Sequence, residues 1–205
     1  MDGKVKRNFI KPLIYANAFV VGIVLMGFEM LGSRYLNPYF GSGIGAWASL
    51  ISVVLCALAI GYFVGGNIVD KNPSPYNIPI AVTVAAAYLA CVPATADGVM
   101  RWILQNIGDG PSAILLAASV LLLVPLTFLG TLSPMAVRLL LNRTEQTGRV
   151  SGLVYAVSTF GNVFGTLYTT FGLIPNYGSR EVTYIFAVTL AICALSLFIA
   201  ARKAH

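Results

Sequence analysis

The chain has 205 residues, of which 58% are hydrophobic and only 10% charged. A soluble domain carries about 25% charged residues, so there is too little polar side chain here to coat a water-facing surface. A cytosolic enzyme, a nucleic-acid-binding module and a secreted disulfide scaffold are excluded, which leaves a polytopic membrane protein at the size of one compact bundle.

The first apolar run, Leu13–Leu36, follows a basic flank of Lys4, Lys6, Arg7 and Lys11. Its Ala16-Asn17-Ala18 triplet stands at the start of the run, whereas signal-peptide cleavage needs small residues at the end. The run is therefore expected to be retained as a helix. Glu29 falls inside it, where an ionised carboxylate is costly and marks a cavity, a relay or a pair. Arg34 follows five positions on, about 140° around a helix from Glu29, which is awkward for a direct bond. Two readings stay open for Glu29: a proton- or cation-binding carboxylate, or half of a structural ion pair with another helix.

The second run, Ala46–Val69, ends in Gly61-Tyr62-Phe63-Val64-Gly65-Gly66-Asn67-Ile68-Val69-Asp70-Lys71. Gly61 and Gly65 form a small-xxx-small face for close helix approach, and Asp70 with Lys71 caps the end. This stretch resembles a truncated form of the loop signature of major-facilitator transporters, without its basic continuation. The third and fourth runs are Ile78–Ala96 and Ser112–Val137. Pro125 and Pro134 are expected to kink or break the fourth. The fifth run, Val150–Pro175, carries Gly152, Gly161, Gly165 and Gly172 with Ser158 and Thr159, a second small-residue seam read first as tight packing. The sixth is Val182–Ala201. Each run reaches the ~20 residues that cross a hydrocarbon core as a helix, and Asn72-Pro73-Ser74-Pro75 and Gly108-Asp109-Gly110-Pro111 punctuate the connectors. The predicted fold is all-α, a single six-helix transmembrane domain.

Six spans put both termini on one side. That side collects Lys4, Lys6, Arg7, Lys11, Lys71, Arg138, Arg143, Arg149, Arg202 and Lys203, and the other only Arg34, Arg101 and Arg180. The positive-inside rule then predicts cytoplasmic termini in a cell inner membrane. The same placement explains the net charge of +6 as topology, with no nucleic-acid partner. The Asn142-Arg143-Thr144 sequon would face the cytoplasm and reads as chance.

Signals of chemistry are few. Cys56, Cys91 and Cys193 each stand alone and the sole histidine is His205, so no Cys/His metal site is expected. Gly108-Asp109-Gly110 has no strand before it and is no nucleotide fingerprint. Asp97, Asp109, Glu145 and Glu181 fall in loops or at helix ends, where a solvated or capping role is the default. No cofactor and no enzymatic constellation is expected. A sparse echo links the halves: Glu29-x-x-x-x-Arg34 followed by Gly61 matches Ser133-x-x-x-x-Arg138 followed by Gly165, with the same Arg-to-Gly interval, as an inverted 3+3 repeat would give.

The block from Phe28-Glu29-Met30-Leu31-Gly32-Ser33-Arg34 to Tyr39-Phe40-Gly41-Ser42 resembles the opening of the membrane domain of fused spermidine synthase-like/major-facilitator-like proteins. Trp47, Gly61–Asp70, Leu129–Arg138, Gly148–Asn162 and Gly172–Pro175 continue the likeness. It implies a half-major-facilitator-like bundle and a transporter-like role toward polyamines or small cations. Members commonly carry a synthase-like domain after the helices, and this chain has no room for it before His205. The resemblance therefore implies a possible separate synthase-like partner, a homodimer or other membrane subunits, all within the lipid bilayer. The alternative is a non-catalytic accessory or scaffold subunit of a larger membrane complex.

Overall fold

A computed structural model describes residues 2–141 and 147–204, with side chains for 11–141 and 147–203. The sequon, Arg143, Glu145 and His205 lie outside the described residues, as do the side chains of Lys4, Lys6 and Arg7. The elements are α1 (Asp2–Phe40), α2 (Ile44–Lys71), α3 (Asn77–Asn106), α4 (Pro111–Gly130), α5 (Leu132–Leu140), α6 (Thr147–Tyr168), a π-helical turn (Thr169–Leu173), the short α7 (Ile174–Asn176) and α8 (Ser179–Ala204). The described residues contain no strand.

Six helical stretches are long and apolar enough to cross a membrane: Lys11–Phe40, Ile44–Lys71, Asn77–Asn106, Pro111–Leu140, Thr147–Asn176 and Ser179–Lys203. Helix is what hydrocarbon demands, because backbone groups there must be satisfied within the segment. The stretches outrun the apolar runs at both ends. The third differs most, continuing past Ala96 to Asn106: its first charge, Asp97, pairs with Arg180 of α8 and the chain meets no left-handed glycine until Gly108. The fourth is broken. Pro125 is accommodated inside α4, and the helix stops at Gly130, turns at Thr131 and restarts as α5, with Pro134 in its first turn.

α1 is the central helix, in contact with α2, α3, α4, α6 and α8, and its Phe28, Leu31 and Leu36 are fully buried. α2 lies along α4, α6 along α1, and α3 along α8, while α2 and α6 barely meet. Apolar burial between helices gains little where lipid is the alternative, so close packing and small residues carry the association. Glycine permits two of the closest crossings. A β-carbon at Gly61 would collide with the Thr127 carbonyl, and one at Gly65 would lie 2.8 Å from Thr131. On the other side, β-carbons at Gly161 and Gly165 would collide with the carbonyls of Phe19 and Ile23.

These crossings are related. The interval from Gly61 to Gly165 equals those from Gly65 to Thr169, from Ile23 to Thr127 and from Gly27 to Thr131. Gly61 meets Thr127 as Gly165 meets Ile23, and Gly65 meets Thr131 as Gly27 meets Thr169. At these two pairs of crossings the first three spans and the last three exchange contacts.

Candidate functional site

Glu29 sits on α1 at 5% exposure, the only buried acid among the described residues. It neighbours the fully buried Phe28 in sequence, and its Oε2 has no hydrogen-bond partner. The described residues form two ion pairs, Asp70 with Arg138 (3.6 Å) and Asp97 with Arg180, and Glu29 belongs to neither. Of its two readings the structural ion pair therefore has no partner among the described residues. A buried polar group without a partner calls for water, an ion or a functional role.

The remaining residues singled out in the sequence separate into three groups. Arg34 is exposed toward the end of α1, apart from any ion pair among the described residues. Asp70 and Arg138 are brought together across α2 and α5 at the basic end, with side chains half or more exposed, so this pair contributes at most about 1 kcal/mol. Lys71 closes α2 and is exposed. Gly61, Gly65, Gly161 and Gly165 all serve packing, as their collisions show. Gly152, from the same seam, faces open space. In the contact-exchanging halves Arg34 corresponds to Arg138, but the counterpart of Asp70 is Ile174, which leaves Arg34 without the equivalent acid.

The sequence reading missed a concentration of unsatisfied polar atoms. Among the described residues, the buried side-chain oxygens and nitrogens that lack a partner are Asn17 Oδ1, Glu29 Oε2, Asn162 Oδ1, Thr169 Oγ1 and Thr170 Oγ1. Every one lies on α1, α6 or the π-helical turn that continues α6. Asn17 spends its amide nitrogen on Leu13 O (2.8 Å) and Ser196 Oγ (3.4 Å), and Thr169 Oγ1 lies over Gly27. The π-turn is itself informative, since such interruptions are rare and frequent at functional sites. A periodic polar pattern on the fifth run was the available signal, masked by glycines that read as packing.

No group of three His, Cys, Asp or Glu that could hold a metal occurs among the described residues. Cys56 and Cys91 are exposed and Cys193 is buried, all as free thiols. Two apolar cavities, one between α3 and α4 at Tyr88 and Val120 and one between α3 and α8 at Ala90 and Ala191, do not include Glu29. The fold thus defines a multi-pass, all-α membrane protein with one buried carboxylate. Comparison of the chain with protein-family models, characterised proteins and solved structures finds no match.

Proposed function

We propose that the chain is a transporter-like membrane protein akin to the membrane half of the spermidine synthase-like/major-facilitator-like proteins. In this reading it is a multi-pass inner-membrane protein with cytoplasmic termini that handles polyamines or related small cations. It works with a second copy of itself or with a separate synthase-like partner. The carrying observation is Glu29, a carboxylate enclosed in the bundle with no ion-pair partner among the described residues. Intramembrane acids without a structural partner mark ion and substrate paths. The exchange of contacts between halves supports an inverted 3+3 repeat, the plan in which transport sites sit between repeats.

Uptake of a labelled cation, spermidine or methylammonium, by reconstituted vesicles tests this reading. Wild-type protein is expected to accumulate the label and Glu29→Gln to lose most of that uptake; uptake unchanged in the variant removes the carboxylate mechanism. A second reading, an accessory subunit of a larger membrane complex, is favoured by the surface that α6 leaves uncovered, with Phe160 at 70% and Phe171 at 75% exposure. Stable co-purification with other integral proteins after gentle extraction, together with absent uptake, would favour it.

A further inference from the structure

A helix that turns most of its surface to lipid should be the most apolar of a bundle. Thr147–Asn176 does the reverse. Only 17% of its most apolar stretch is buried inside the protein, against 33% to 56% for the other spans, and its hydropathy is the lowest of them all. Lipid on every side cannot account for that combination.

The side chains resolve it, because α6 is two-faced. Leu153, Phe160, Phe164, Leu167 and Phe171 recur at helical steps and are all exposed, a flank suited to acyl chains. Ser151, Tyr155, Ser158, Asn162, Thr166 and Thr170 recur at three- and four-residue steps on another flank, with Thr159 beside them. Gly148 and Gly152 face open space near its start. The polar flank borders α1 on the side where α2 and α6 do not pack closely. A β-carbon at Gly22 of α1 would lie 2.5 Å from Ser158 O and 2.9 Å from Asn162 Oδ1. The Tyr62 phenol of α2 stands within electrostatic range of Tyr155 from the other side. Glu29 lies two turns beyond Gly22 on the same face of α1.

We infer that this polar flank of α6 is one wall of a water-filled cleft within the membrane, and that the cleft takes a small hydrophilic solute with a single positive charge. Asn162 Oδ1 and Thr170 Oγ1 have no partner within the protein, and water entering behind the flank would supply one. The single charge follows from Glu29 being the only buried acid among the described residues. A second or third ammonium in the same place would be uncompensated. The solute assignment rests on the transport reading and narrows it from polyamines to monocations; the water-lined wall stands without it.

Accessibility of single cysteines to a membrane-impermeant cationic thiosulfonate tests the wall, in full-length protein in membranes with Cys56, Cys91 and Cys193 replaced by alanine. Tyr155→Cys, Thr159→Cys and Thr166→Cys are expected to react about tenfold faster than Phe160→Cys, Phe164→Cys and Leu167→Cys. Equal rates on both flanks overturn the proposal. Slow labelling of Thr159→Cys with ready cross-linking to a neighbouring protein overturns it too, by showing a protein interface instead. Protection of Tyr155→Cys by methylammonium tests the solute, and stronger protection by spermidine, or none by either amine, removes the monocation assignment. Labelling needs no transport, so an inactive protein with a periodic labelling pattern refutes the transport reading and leaves the cleft intact.

Discussion

The α2–α4 and α1–α6 seams are built on the same plan and filled differently. Both bring glycines against backbone carbonyls, Gly61 on Thr127 in one and Gly165 on Ile23 in the other, at positions that exchange between the halves. The α2–α4 seam is dry, with no orphaned buried side-chain atom on either helix among the described residues. Along α1 and α6 lie Glu29, Asn162 and Thr170, each with a buried polar atom that has no partner. Shared packing preserves the scaffold, and divergence of the side chains around it confines polarity to one side of the bundle. Similar packing thus does not require similar chemistry: at the same interval that relates these contacts, Ser133 stands opposite Glu29.

The hardest break of this comparison is Gly161→Leu. Its β-carbon alone collides with the Phe19 carbonyl, so helix separation is the only relief, and loss of folded, monodisperse protein on detergent extraction is expected. Gly61→Ala asks the same question of the dry seam at smaller scale. Collision with the Thr127 carbonyl should cost about 1–3 kcal/mol, read as a lowered thermal midpoint, and an unshifted midpoint would mean the seam is looser than described. Thr169→Val probes the polar seam. It is isosteric and deletes a fully buried hydroxyl that lacks a partner, so stability should rise by about 1 kcal/mol; a fall would reveal a bond to water or ligand. Asp70→Asn should change least, by about 0.5 kcal/mol and less at high salt, because its pair with Arg138 is largely exposed.

Helix number and class were legible because apolar runs of sufficient length have one solution in hydrocarbon. The roles of Gly61 and Gly165 were legible too, since small residues at helical spacing matter chiefly where backbones approach. The break at Thr131 was displaced from both expected prolines: Pro134 fits the first turn of a new helix, where its missing N–H costs nothing, so the chain turns just before it. The meeting of Asp70 with Arg138 depends on how two helix ends lean together, which no spacing within one helix records. The two-faced character of α6 was written in its periodicity. Its meaning required knowing which flank other helices cover, and that is a property of the assembled bundle.

The interrupted fourth span has a mechanical consequence. α5 is a helix of nine residues that restarts after Thr131, whose own backbone stays helical, and Arg138 near its tip is paired with Asp70 of α2. The pair stands about 10 Å from Thr131 at 1.5 Å per residue, so a swing of about 10° moves it by about 2 Å. That is enough to part a pair that already spans 3.6 Å. The basic end of the bundle is thus fastened at α5 by a weak exposed pair, while Thr131, where α5 begins, is pressed against Gly65.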